Sequence, residues 1–164
     1  MADVPITRVY LDTEFTSLSR HRCKLISLAL VVFEGPELYV ELTGSWVESE
    51  CSEFVRITVL PQLDFQKYGL NAAEAKTSLT RWFEQFESVE VFTDAPQWDW
   101  HLLNALLNIQ ATAPHVKLGE IPTELVQCDE TPEAPHHALQ DARLLARMIE
   151  RPGHSNEGEN DGAI

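Results

Sequence analysis

Asp12 and Glu14 stand two residues apart at the end of the apolar run Val9-Tyr10-Leu11. Side chains alternate between faces along a strand, so residues i and i+2 point the same way. Both carboxylates are therefore expected to project from one face, near the C-terminal end of a strand over about 6–14. Neighbouring acids repel each other unless a cation lies between them or one takes up a proton. Two further acids fall where a carboxylate is costly. At about 100° per residue, a closing helix expected over 136–150 places Asp141 inside an apolar arc with Ala142, Leu145 and Met148. Gln140, Arg143, Arg147 and Glu150 share the opposite face. In a helix expected over about 97–108, Asp99 has the i, i+3, i+4, i+7 relation to Leu102, Leu103 and Leu106. A single buried acid is ordinarily bonded to a nearby amide or guanidinium. Four of them, on a strand end and two helices, are a poor fit to chance.

Four ionised carboxylates converging on one place need compensating charge. Hard divalent cations such as Mg²⁺ or Mn²⁺ bind carboxylate oxygens and keep water in the remaining positions. A pair of such ions, about 3.5–4 Å apart, clamps the attacking and leaving oxygens of a phosphoryl displacement. The net charge fits this chemistry. At −14, the chain cannot offer the broad basic stripe with which proteins grip long nucleic acids. A phosphate substrate would have to be met by metal ions rather than by lysine and arginine. The reading is a two-metal phosphodiesterase built on Asp12, Glu14, Asp99 and Asp141.

The elements that must carry these acids suit a single domain over 1–150, in a chain of 164 residues that is 44% hydrophobic and 23% charged. No signal-like leader is recognised and no apolar run reaches about 18 residues, so a cytoplasmic protein without a membrane span is expected. Cys23, Cys51 and Cys128 are odd in number and form no CxxC pair, which points to reduced, idle thiols and not to a zinc site. After the acidic strand, the apolar run over 24–33 suits a strand buried on both faces. Residues 38–42 alternate as a third strand beyond the turn Glu34-Gly35-Pro36-Glu37, giving an antiparallel meander. Residues 52–60 read as a short helix or a strand, ended by Pro61. Asn71 reads as the N-cap of a helix over 72–86, with Leu79, Trp82, Phe83 and Phe86 on one face. A short strand over 89–93 follows. Residues 109–134 read as loop, with one short strand around 125–128. The stretch 151–164 has almost nothing to bury and reads as a disordered acidic tail. The sum is an α/β protein with helices on both faces of a mixed sheet.

The residues so assembled resemble the DEDD superfamily of 3′–5′ exonucleases, in that family's order and across 6–150. Asp12-Thr13-Glu14-Phe15-Thr16-Ser17-Leu18 resembles the first motif. Phe92-Thr93-Asp94-Ala95-Pro96-Gln97-Trp98-Asp99 resembles the second, with Asp99 as its metal ligand, and His136-His137-Ala138-Leu139-Gln140-Asp141-Ala142 the third. One branch of the superfamily places a Tyr four residues before the final Asp; the other places a His five residues before it. Positions 136 and 137 are both His, so the resemblance is to the histidine branch. It implies a ribonuclease H-like fold, two Mg²⁺ (or Mn²⁺) ions held by the four acids, and His136 as general base. An imidazole titrates near the working pH, and one at the mouth of a helix can swing toward the attacking water. His137 reads as a bystander or a contact to substrate phosphate. The chain departs from the second motif: many relatives carry Asn a few residues before the Asp, where this one has Asp94. Asp94 is either a substitute ligand or an acid lying behind Asp99. The short chain, Asp-Thr-Glu-Phe and Leu25-Ile26-Ser27-Leu28 resemble small stand-alone bacterial exoribonucleases of the mycobacterial type, which implies an RNA substrate and a homodimer.

The implied reaction is metal-dependent removal of nucleoside 5′-monophosphates from the 3′ end of single-stranded or short RNA. Phe15, Thr16, Leu18 and Trp98 are the candidate substrate contacts, since stacking on aromatic faces tolerates any base. The resemblance gives Leu18 a position that wedges between terminal bases. Phe15 and Trp98 could equally be core residues. Arg20, His21 and Arg22 are the nearest source of phosphate contacts. Single-stranded DNA is the alternative substrate. A non-catalytic ribonuclease H-like binding module and a metal hydrolase of small phosphate esters are the alternative functions.

Overall fold

The computed structural model describes residues 2–122 and 134–151. The strand expected near 125–128, Cys128 and the tail beyond 151 lie outside the described residues. Six strands form one mixed sheet in the order β4-β3-β2-β1-β5-β6. The acidic strand β1 (Ile6–Phe15) is central, antiparallel to β2 (Leu25–Val31) and parallel to β5 (Ser88–Phe92). β3 (Glu37–Leu42) completes the expected meander against β2.

Alternation along β1 sorts its residues onto two faces. Val9 and Leu11 join Leu28, Leu30 and Val40 under α2 (Ala72–Phe83) and α3 (Asp99–Leu107), where Leu79, Phe83, Leu103 and Leu107 fill the core. Each such side chain contributes about 1.5–3 kcal/mol by leaving water. On the other face Tyr10 packs with Ala29, Val31, Tyr39 and Phe92 under the closing helix, α5 (Ala138–Glu150). This helix meets the sheet through Ala138, Ala142 and Ala146, all but fully buried. Small residues at i, i+4, i+8 let a helix axis approach closely. The larger Leu144, Leu145, Met148 and Ile149 lie on its flank, only half-buried.

Several boundaries differ from the expectations. α2 has its cap at Asn71, whose side chain and that of Glu74 each accept the other's backbone N–H, but it stops at Phe83 rather than 86. α3 begins at Asp99, after a turn in which the Trp98 and Asp99 amides both bond the Ala95 carbonyl. Asn108, in the left-handed region at φ 52°, breaks it. The short helix α4 (Ile109–Thr112) and strand β6 (Val116–Leu118) then occupy what read as loop. β6 carries one buried residue, Val116, so it shows no alternation. Residues 55–62 are helical turns, with Val55 and Val59 buried one turn apart. Pro61 does not end them but lies in the closing turn Leu60–Gln62, where a missing N–H costs nothing. The short helix α1 (Phe65–Tyr68) and strand β4 (Gly69–Leu70), which pairs with β3, were not expected. Glu150 is not on a solvated face: its carboxylate accepts from Tyr10 Oη at 2.6 Å and from Arg8 at 2.7 Å. No helix among the described residues is long and apolar enough to cross a membrane.

Candidate active site

Register brings the acids together. Tyr10 lies opposite Phe92 in the parallel β1–β5 pair, so the turn leaving β5 runs beside Asp12. Carboxylate oxygens of Asp12, Asp94 and Asp99 lie within 4.8 Å of one another. Two residues along β1, on the same face as Asp12, Glu14 meets α5. One ligand atom each from Glu14, Asp141 and His136 again falls within 4.8 Å of the others. The alanine contact of α5 is what allows Asp141, one turn into the helix, to reach the strand.

Asp99 is 2% exposed. Its two oxygens accept hydrogen bonds from Thr13 Oγ1, at 2.6 Å, and from Thr93 Oγ1. These hydroxyls fix its orientation without neutralising it. None of the ion pairs among the described residues involves Asp12, Glu14, Asp94, Asp99 or Asp141. Burial and mutual repulsion therefore push the carboxyls toward the protonated form. Burial, then the charges of Asp99, Glu14, Asp141 and Asp94, raises Asp12 well above the ordinary carboxylate range. Burial, with Asp141 and Asp99 adding to it, lifts Glu14 to about 8. Burial raises Asp99 as well, against the two threonine bonds. Burial also raises Asp141, which the His136 imidazole partly offsets. Asp12 Oδ2 and Asp141 Oδ1 are buried and accept no hydrogen bond from the described residues. Crowded hard oxygens, and buried acceptors with neither a donor nor a guanidinium partner among the described residues, fit a site for divalent cations.

His136 precedes α5 and holds the left-handed backbone at φ 54°. Gln62 Nε2 donates to the carbonyls of Pro135 and His136, at 3.0 and 3.2 Å, and to that of Thr58 at 2.8 Å. The imidazole meets the Phe54 ring edge-on, with centroids 4.9 Å apart. His137 faces away from a phosphate role. Its ring packs on Tyr39 at 4.8 Å, and burial lowers its pKa. Beneath it, Glu41 is fully buried, accepting from Tyr39 Oη at 2.7 Å and, with both oxygens, from the Asp64 amide.

The acids and His136 form the floor of an open cavity of about 820 Å³, with Phe15, Leu18 and Phe54 among its walls. Leu18 is 77% exposed. No lysine or arginine among the described residues lines it. Two of the expected substrate contacts are placed otherwise. Thr16 is fully buried and its hydroxyl accepts from the Lys24 amide at 3.0 Å, so its side chain secures the loop. Trp98 stacks behind Phe15, with centroids 5.1 Å apart and planes 12° from parallel, and does not line the cavity. Arg20 lies 5.8 Å from the Trp98 ring, a cation–π contact. Sequence reasoning missed Phe54, Gln62, Thr13 and Thr93. A hydroxyl residue one position after Asp12 and another one position before Asp94 were the only written signals.

No family model matches the chain, and no curated protein matches it significantly. Among solved structures it is similar to cell-death related nuclease 4, with a TM-score of 0.60 and 16% identity over 88% of this chain and 62% of that one. It is also similar to a moderately thermophilic Exonuclease I from Methylocaldum szegediense, with a TM-score of 0.59 and 16% identity over 90% of this chain and 41% of that one. The chain thus spans less than two thirds of either neighbour. The likeness is one of fold, the ribonuclease H-like α/β arrangement expected from the motifs.

Proposed function

We propose that this chain is a metal-dependent 3′–5′ exonuclease of the DEDD superfamily, histidine branch, acting on single-stranded or short RNA. The observation that carries the reading is the cavity floor: carboxylates from a strand end, a turn and two helices, beside an imidazole, with no lysine or arginine among the described residues lining it. Two Mg²⁺ or Mn²⁺ ions held by Asp12, Glu14, Asp99 and Asp141 would supply the positive charge for the scissile phosphate and the leaving 3′ oxygen. The chain's own groups do the rest. His136, within reach of Glu14 and Asp141, takes the proton of the attacking water as general base. Thr13 and Thr93 hold Asp99 in one orientation. Phe15, braced by Trp98, offers a face for a base, and Leu18 projects into the path of the terminal stack. Hydrolysis of the last phosphodiester releases a nucleoside 5′-monophosphate.

The nuclease names of the two structural neighbours support the class of reaction. RNA, a homodimer and the mycobacterial-type relation rest on the motif resemblance, and a cytoplasmic setting on composition and cysteine usage. The test is incubation of matched RNA and DNA single strands, labelled and blocked in turn at each end, with Mn²⁺ and then with EDTA. A ladder of one-nucleotide steps from the 3′ end, stopped by chelator and stronger on RNA, is expected. Hydrolysis of small phosphate esters alone, or binding without cleavage, would overturn the assignment.

A further inference from the structure

We infer that Asp94 is a direct ligand of one of the two ions, so that the protein holds both before any nucleic acid arrives. The inference rests on the two-metal reading above and deepens it. The five acids divide spatially into two groups: Glu14 and Asp141 with His136, and Asp12 and Asp99 with Asp94. Without Asp94 the second group has two carboxylates, and the rest of that ion's shell would be water until a substrate phosphate completes it.

The surroundings of Asp94 favour a ligand over an incidental turn residue. It is an exposed side chain at the exit of β5, free to turn to solvent, yet its carboxylate stays close to buried Asp99 and half-buried Asp12. With all three ionised, that placement is unfavourable unless a cation is shared among them. The turn does not need the carboxylate: Thr93 Oγ1, not Asp94, accepts the Ala95 amide, at 3.0 Å. Among the described residues, Asp94 has neither a hydrogen-bond nor an ion-pair partner. In the same group, Asp12 Oδ2 is a buried acceptor without a donor. Asp99 is already held by its two threonines, each oxygen keeping a free lone pair. Three such groups suit a hard octahedral ion that keeps some of its waters.

The experiment counts Mn²⁺ bound to the nucleic-acid-free protein, by electron paramagnetic resonance of the free ion, in wild type and Asp94→Asn. Two ions in wild type and one in the variant are expected, the second site of the variant weakened at least tenfold. Thermal melting in EDTA checks that the variant is folded. Equal stoichiometry and affinity in the two proteins, or a single ion in wild type, would overturn the role of Asp94. No ion bound by wild type would instead overturn the metal reading itself.

Discussion

The side-chain amide of Gln62 donates to the backbone carbonyl of His136 at 3.2 Å, joining positions 74 apart in sequence. The same amide bonds the Pro135 carbonyl. A left-handed backbone in a non-glycine residue persists where its surroundings over-determine it, and this amide is one such constraint on the candidate base. Gln62→Ala is expected to lower kcat about tenfold, as one or two hydrogen bonds at about 1 kcal/mol each would imply, with KM and Mn²⁺ affinity little changed. Gln62→Glu keeps the shape and loses the donors, so it should behave alike. Steady-state kinetics on a labelled oligonucleotide reads the difference.

His136→Ala is expected to reduce kcat by about 10²–10⁴, the usual contribution of a positioned general base. Most of the metal binding should remain, because carboxylates supply the majority of the ligand oxygens. Single-turnover rates measured beside Mn²⁺ titration separate the two effects. A rate close to wild type would remove the imidazole from the mechanism.

Stability without metal should fall as pH rises. Glu14 has a folded pKa of about 8 against an ordinary carboxylate value of 4.5, because burial and then Asp141 and Asp99 disfavour its anion. Asp12 is shifted the same way. Between those two values the native state binds more protons than the unfolded chain, so stability present below about pH 4.5 is lost as pH climbs through 8. Melting in EDTA across this range should show a declining Tm, equivalent to a few kcal/mol. Saturating Mn²⁺ should reverse the trend, since the ion binds the ionised acids and its binding releases protons.

Leu18→Ala should leave stability within about 0.5 kcal/mol, as for most exposed positions, because Leu18 is 77% exposed. It should nevertheless raise KM for single strands several-fold if the side chain meets the terminal base. Thermal melts and kinetics on one preparation test both halves.

The acids were legible because a carboxylate in an apolar arc is a local contradiction that periodicity exposes. Alternation placed Asp12 and Glu14 on one face, and the helical period turned Asp99 and Asp141 inward. The meander and the three long helices followed from the same patterns. The supports were not legible. Gln62 acts through backbone carbonyls, Phe54 through a ring edge, and both lie in residues 43–70, where helical turns of three to five residues are too short to set up a period. Thr16 and Trp98 read as substrate contacts because they flank the acids in sequence. The register shift between Glu14 and Phe15 breaks the alternation that would keep Thr16 on the face of the acids, and Trp98 stacks on Phe15 outside the cavity lining. Asp94 was visible as a departure from the motif; only the β1–β5 register shows which acids it joins.

Ala138, Ala142 and Ala146 perform no chemistry, yet they set how far apart the two halves of the site stand. A bulkier side chain at any of them would act as a shim, tilting the helix off the sheet and drawing Asp141 away from Glu14 while leaving every acid intact. Ala142→Val is therefore expected to weaken Mn²⁺ binding and catalysis together, an inactivating change that no scan confined to charged residues would find.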